Sequence, residues 1–291
     1  MSRILTERVH RRSRLSRVGA AVVGFGCLLL LTGCSKETTD QWKRLGLPEA
    51  ASDRADYVHD LWMGAWIAAF IIGGFTWALI GWVSVRYRRR RDDALPVQVR
   101  YNLPIEVLYS IAPVIVVVVL FFFTVQTQDK ELADVSNPDH NIVVTAQQWA
   151  WTFNYVEEPG AGGEDVYDSG TPAQEPELWL VEGETVNFTL HSSDVIHSFW
   201  VPSFYFKLDV LPGRDQGFSM TPTKEGTFVG RCAELCGQHH SRMLFKVIVT
   251  DRQTFDEHMQ RLRDAGQTGI LRGGSKSETV DGLDTTAGGG E

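Results

Sequence analysis

The sequence predicts an all-β sandwich domain preceded by a two-helix transmembrane hairpin. Three observations predict it. Apolar runs at residues 61–85 and 103–126 are each long enough to cross a bilayer, and the first carries no charged residue. From residue 141 the pattern changes to short segments in which apolar and polar residues alternate. Gly- and Pro-containing turns such as Glu182-Gly183, Pro212-Gly213 and Glu225-Gly226 separate those segments. Bulk composition agrees, because 43% hydrophobic residues over 291 positions exclude a disordered protein and allow one or two folded domains. The net charge of −8 understates the acidity of the folded part, since six arginines precede residue 18. That asymmetry argues against a nucleic-acid partner.

Residues 1–33 read as a lipoprotein-type signal peptide. Arg8, Arg11, Arg12, Arg14 and Arg17 form a basic start, and an apolar stretch at 18–31 ends in LTGC. Leu31-Thr32-Gly33-Cys34 resembles a bacterial lipobox, which implies that Cys34 is lipidated and becomes the mature N-terminus. Cys27 would then be removed, leaving Cys232 and Cys236 as free sulfur. Residues 34–56 form an outer N-terminal segment.

The hairpin occupies residues 57–128. Its first span is followed at once by RYRRRR, with Arg86, Arg88, Arg89, Arg90 and Arg91, and basic residues beside a span mark the cytoplasmic side. The second span therefore leaves from inside and delivers everything after Asp129 to the outside. The lipobox independently places the N-terminus outside. Both signals agree on a multi-pass protein of the bacterial plasma membrane with its N-terminus and C-terminal domain extracytoplasmic. Glu106 interrupts the second span. An ionisable residue there costs a few kcal/mol and marks a proton or ion path or a partner helix, although near a helix end it can also snorkel. Pro113 is a candidate kink.

The outer domain is expected at residues 129–251, with strands at 141–155, 177–181, 185–190, 216–220, 226–231 and 243–249. The Gly- and acid-rich stretch 157–175 reads as a surface loop. A short amphipathic helix is expected at 252–264, and the Gly/Ser/Thr-rich remainder to 291 as a disordered tail.

Residues 232–243 read CAELCGQHHSRM. Thiolates beside imidazoles favour soft or borderline metals. A structural zinc site usually shows C-x2-C pairs and four strong ligands, whereas this pair is C-x3-C without a second pair. An iron–sulfur cluster asks for four thiolates where two are available. Copper on a β-sandwich fits better, because electron-transfer copper takes thiolate, imidazole and a weak thioether with most ligands on one loop between strands. On the cysteines alone, a structural disulfide in an oxidising compartment remains an equal alternative.

The motif C-x-E-x-C-G-x-x-H-x-x-M resembles the binuclear copper A loop of cytochrome c oxidase subunit 2, and the layout from residue 57 to about 265 is similar to that family. The resemblance implies a cupredoxin-like sandwich holding two copper ions. It implies Cys232 and Cys236 as bridging thiolates, His240 as an imidazole ligand, Met243 as a weak axial ligand and the Glu234 carbonyl as the other weak ligand. The second imidazole is His197, in DVIHSFWVP. His239 adjoins His240, but the four-residue step from Cys236 favours His240; His191 reads as a surface or core histidine. The Glu234 side chain is implied as a ligand to a magnesium ion shared with subunit 1.

Further positions follow one at a time. QQWAWTFNY resembles the aromatic stretch where electrons enter, which implies Trp149 as the contact with a donor haem and Trp151 nearby. FKLDVLPGR, with Asp209 and Arg214, is similar to the segment facing subunit 1. Glu106 in IEVLYSIAP matches the family's E-x-x-aromatic-x-x-x-P, where the carboxylate lies at the mouth of a proton channel. Asp194 is expected to help dock a basic cytochrome. Phe199-Trp200 departs from the commoner Trp-Ala of the family, so no donor contact is carried over at that point.

The resemblance thus implies the electron-accepting subunit of a haem-copper oxygen reductase. Its partners would be subunit 1, the other oxidase subunits and a cytochrome c, soluble or tethered to a bc1-type complex. A membrane-tethered copper chaperone also uses C-x3-C with histidine, but with a distant histidine and normally one span. A quinol oxidase subunit 2 lacks the copper ligands, and nitrous oxide reductase would need a large additional domain.

Overall fold

The computed structural model describes residues 35–88 and 98–272. The expected signal peptide, Cys34, Arg89 to Arg91 and the end of the C-terminal tail lie outside the described residues. The chain divides into two units, residues 1–48 and 49–291. In the first, a short helix α1 (Lys36–Lys43) starts where the Ser35 hydroxyl accepts from the Thr38 N–H at 3.2 Å, a side-chain cap for an otherwise orphaned donor.

The second unit begins with two long helices, α2 (Ala55–Arg86) and α3 (Leu103–Glu131). Their 32 and 29 residues contain the two expected spans and overrun them. At about 1.5 Å per residue both exceed a hydrocarbon core of about 30 Å, so their ends project beyond it. Both helices are apolar around most of their circumference, with Phe70, Trp77, Phe121 and Phe122 exposed, as a helix facing lipid or partner helices requires. At the start of α3, Asn102 caps the helix and its own N–H donates to Glu106 Oε1 at 2.9 Å. At its far end, Arg54 donates to the carbonyls of Lys130 and Ala133, satisfying acceptors that the helix leaves open. The adjoining residues are stitched to the sandwich: Ala51 N–H donates to Ser203 O at 2.8 Å and Asp53 N–H to Thr221 O at 3.0 Å. The Ser52 hydroxyl donates to Phe204 O at 2.9 Å.

Ten strands form two five-stranded sheets. They are β1 (His140–Gln147), β2 (Ala150–Glu158), β3 (Glu164–Ser169), β4 (Glu177–Val181), β5 (Val186–Ser192), β6 (His197–Val201), β7 (Phe206–Val210), β8 (Gln216–Met220), β9 (Gly226–Cys232) and β10 (Leu244–Thr250). One sheet has the order β3-β2-β1-β5-β8, the other β4-β10-β9-β6-β7. Alternation places Ile142, Val144, Phe153, Phe188 and Phe218 of the first sheet against Leu180, Phe199, Phe245 and Val247 of the second, all buried. Phe245 lies within 5.4 Å of Trp151, 5.3 Å of Phe153 and 5.1 Å of Phe199, centroid to centroid. This aromatic centre forms the floor of the site described below.

Several elements differ from the sequence expectation. The stretch 141–155 is not one strand but the β1–β2 hairpin, turning at Gln148 and Trp149. The expected surface loop 157–175 contains β3, whose buried Val166 is its one strong inward residue. Neither β6 nor β7 was expected; HSFWV is buried at four of five positions and shows no alternation. The amphipathic helix α4 (Arg252–Asp264) forms as expected and sends Phe255, Met259 and Leu262 into the sandwich core. The tail is ordered further than expected, because Asn154, fully buried, brackets Leu271 through both its backbone N–H and its carbonyl.

Candidate metal centre

Two loops at one end of the sandwich converge. The β5–β6 loop delivers His197 at the first residue of β6, and the β9–β10 loop delivers Cys232, the last residue of β9, through Met243, just before β10. The strands hold these anchors: Cys232 N–H donates to Met243 O at 3.0 Å, and Ala233 N–H to Ser198 O at 3.0 Å. Gly237 bends the loop with φ of +125°, in the region that favours glycine, and a Cβ there would stand 3.0 Å from the Trp149 ring.

Cys232 and Cys236 are buried, and both are free thiols. Their sulfurs lie 3.9 Å apart, well beyond the disulfide bond length of about 2.05 Å. His197 Nδ1 stands 3.9 Å from Cys232 Sγ, and His240 Nδ1 3.5 Å from Cys236 Sγ. Met243 Sδ lies 3.8 Å from Cys236 Sγ, and the Glu234 carbonyl oxygen 3.2 Å from Cys232 Sγ. His197, Cys232 and Cys236 offer ligand atoms within 4.8 Å of one another. All six groups expected around the metal thus reach one sulfur or the other.

The remaining candidates sit as follows. His239 packs edge-on against the Trp149 ring at 4.7 Å, and His191 pairs with Asp215 at 2.8 Å. Half-buried Trp149 donates its indole N–H to Cys236 O at 3.2 Å, while buried Trp151 donates to Met243 O at 3.3 Å. Phe199 faces the core and Trp200 the outer face, where Arg231 stacks over its ring at 5.3 Å. Glu234 and Arg214 are exposed, and Asp209 is half-buried in β7. Glu106 is outside this constellation, in the first turn of α3.

Sequence reasoning missed what Asp194 does. Its Oδ1 lies 2.8 Å from His197 Nε2 and accepts from Val195 N–H, and its Oδ2 accepts from Gln148 N–H at 2.7 Å. Burial alone would raise the Asp194 pKa, but these hydrogen bonds outweigh it and hold the carboxyl below its ordinary value. On His197, burial opposes protonation, and Asp194 and Cys232 together more than offset it. The three-residue step from Asp194 to His197 was the available signal, since a metal-bound imidazole usually donates its other N–H to a carboxylate.

The two thiols titrate as a pair. Cys232 is held well below an ordinary thiol, chiefly by its hydrogen bond with Cys236 and further by His197. Cys236 is raised, since its ionisation would place a second thiolate beside the first. The pair gives up one proton readily and the second reluctantly, as expected of a site completed by positive charge. Two soft sulfurs, two imidazole nitrogens, a thioether and a carbonyl in a buried pocket, with one imidazole fixed by a carboxylate, fit copper.

Comparison with known proteins finds similar chains. Residues 173–250 match the family described as cytochrome C oxidase subunit II, periplasmic domain, and residues 40–127 match cytochrome C oxidase subunit II, transmembrane domain. A probable cytochrome c oxidase subunit 2 of Streptomyces coelicolor is 41% identical, with 92% of each chain covered. The chain belongs to the cytochrome c oxidase subunit 2 family. Cytochrome c oxidase subunit 2 of Corynebacterium glutamicum is 34% identical over 82% of each chain. The periplasmic domain of subunit II of cytochrome oxidase from Bradyrhizobium japonicum aligns with a TM-score of 0.40 at 27% identity, covering 45% of this chain and 99% of that one. As a subunit 2, the chain is a membrane protein and a member of an oxidoreductase complex, cytochrome c oxidase, with a site suited to copper on its β-sandwich.

Proposed function

We propose that this chain accepts electrons from cytochrome c at a binuclear copper A centre and passes them to haem in subunit 1, where oxygen is reduced to water with proton pumping. The observation that carries the reading is the pair of free, buried sulfurs 3.9 Å apart, flanked by His197 and His240 on opposite members. Cys232 and Cys236 would bridge two copper ions, with His197, His240, Met243 and the Glu234 carbonyl completing the set. When bound, the copper pair supplies a one-electron carrier whose charge is shared across the two sulfurs.

The chain's own residues hold that carrier rigid and connect it to the surface. The β9–β10 ladder fixes Cys232 against Met243, and Asp194 fixes the tautomer of His197. Trp149 links a half-buried ring to the Cys236 carbonyl through one hydrogen bond, which supports its role as the contact for a donor haem. Exposed Ile196 and Leu235 flank the site, and Asp194 adds negative charge beside them for a basic cytochrome, soluble or tethered to a bc1-type complex. The exposed Glu234 side chain is free to reach a magnesium ion shared with subunit 1. Glu106 would receive protons at the inner membrane face, on the topology with both termini outside and Cys34 lipidated.

Copper loading of the full chain in detergent tests the reading. Two bridged coppers give a purple protein, a seven-line electron resonance pattern and about two coppers per chain. One copper per chain, or a colourless product holding a Cys232–Cys236 disulfide, contradicts it.

A further inference from the structure

We infer that Gln148 is a positioning residue that locks the two ligand-bearing loops to each other, an inference that rests on the metal-site reading and deepens it. The β5–β6 loop carries Asp194 and His197, and the β9–β10 loop carries Cys236 and His240; they belong to different stretches of chain. Gln148, at the tip of the β1–β2 hairpin from the other sheet, reaches both. Its backbone N–H donates to Asp194 Oδ2 at 2.7 Å, and its side-chain amide donates to Cys236 O at 2.6 Å. Asp194 in turn fixes His197 Nε2 at 2.8 Å. One half-buried residue therefore connects an imidazole of one loop to a thiol residue of the other through three hydrogen bonds. Trp149 reinforces the same carbonyl from the next position, at 3.2 Å, but touches only the Cys236 side.

The chemistry gives this connection a purpose. A carrier that changes charge without moving its ligands needs its two halves held at a fixed separation, and strand pairing alone does not provide it. Phe199 to Cys232 and Trp200 to Arg231 are the only register pairs between β6 and β9, and both lie on the strand side of His197 and Cys236. Beyond them the loops meet across Ala233 N–H to Ser198 O and through Gln148. Removing a hydrogen-bonded support behind a metal ligand typically weakens metal holding about 10- to 100-fold.

The test is Gln148→Ala in the full chain in detergent, with Gln148→Glu as a second variant of nearly the same shape that lacks the amide donor. Neither touches the backbone N–H to Asp194, so the loss is confined to the Cys236 side. In the metal-free protein, amide hydrogen exchange over residues 233–240 should quicken at least several-fold, with β1 and β10 unchanged. In the copper-loaded protein, both coppers should still bind, but copper should pass to a chelator about ten times faster and the hyperfine pattern should change. Gln148→Lys, which restores an N–H donor of sufficient reach, should recover part of both. Unaltered exchange together with an unaltered spectrum and release rate in a folded variant overturns the inference. A parent chain that binds no copper pair overturns the proposed function instead, and the exchange measurement still decides the role of Gln148.

Discussion

The Asp194 carboxylate lies 2.8 Å from His197 Nε2, which leaves His197 Nδ1 turned toward Cys232 Sγ. A residue expected to meet the electron donor thereby also supports an expected metal ligand. Asp194→Ala removes that acceptor together with the partners of Gln148 and Val195 N–H, and copper affinity should fall about 10- to 100-fold in chelator competition. Asp194→Asn keeps an acceptor oxygen and should lose less. A purely docking role would instead raise the KM for the cytochrome and change its salt dependence, with copper affinity untouched.

Met243 is fully buried and contributes both packing and a thioether. Met243→Leu conserves volume, so the fold should survive at a cost below about 1.5 kcal/mol. Losing a sulfur donor that favours the oxidised metal should raise the reduction potential. Potentiometric titration of the loaded chain checks the sign.

Much of the fold and site was legible because the relevant signals are local. The two spans, the paired cysteines, His240 and Met243 lie in contiguous segments, and the Pro212-Gly213 turn forms with Gly213 at φ +76°. What escaped was non-local or lacked alternation. The strand β6 is buried on both faces, Ser198 included, so its period-two signal is absent. The roles of Gln148 and Asn154 depend on residues 88 and 117 positions away, and one sequence carries no trace of such pairings.

A charge cluster built on buried His140 and Glu158 ties α4 to the sandwich. His140 Nδ1 meets Glu158 at 2.7 Å and Nε2 meets Glu184 at 2.9 Å, with Arg252 bonded to Glu184 and Asp256 close to Arg252. Burial of the ring and Arg252 oppose protonation, but the two glutamates prevail and raise the His140 pKa above 6.5. Stability from this group is therefore complete below the unfolded value and is lost as pH rises through the folded one. Parent and His140→Gln, both metal-free, share the titration of the cysteine pair, so the melting-temperature advantage of the parent over the variant should shrink as pH rises above about 6.5. Identical pH slopes in parent and variant would exclude the effect.

Glu106 accepts the Asn102 N–H at the start of α3, so a structural explanation competes with proton uptake. Glu106→Gln separates them, because the amide keeps an acceptor oxygen for the cap but cannot exchange a proton. Turnover of the assembled oxidase should slow while reduction of the copper centre by cytochrome stays at the parent rate. If turnover is unchanged, capping is its whole contribution.

Gly230 pairs across β9 and β10 with Phe245, and a Cβ on it would stand 2.0 Å from that ring. Such contacts do not occur between real atoms, so Gly230→Ala must displace Phe245. That ring cannot move alone, since Trp151, Phe153 and Phe199 pack around it, and Trp151 also donates to Met243 O. Overpacking of this kind costs about 1–3 kcal/mol or more. Here the strain is also transmitted to a residue beside the sulfurs. Gly230→Ala should therefore lower the melting temperature and broaden the copper resonance lines together, although Gly230 touches no ligand. Pairing it with Phe245→Leu, which vacates space where the methyl would enter, should recover more stability than the two separate effects sum to. Strict additivity in that double-mutant cycle would show that the ring is not what confines position 230 to glycine.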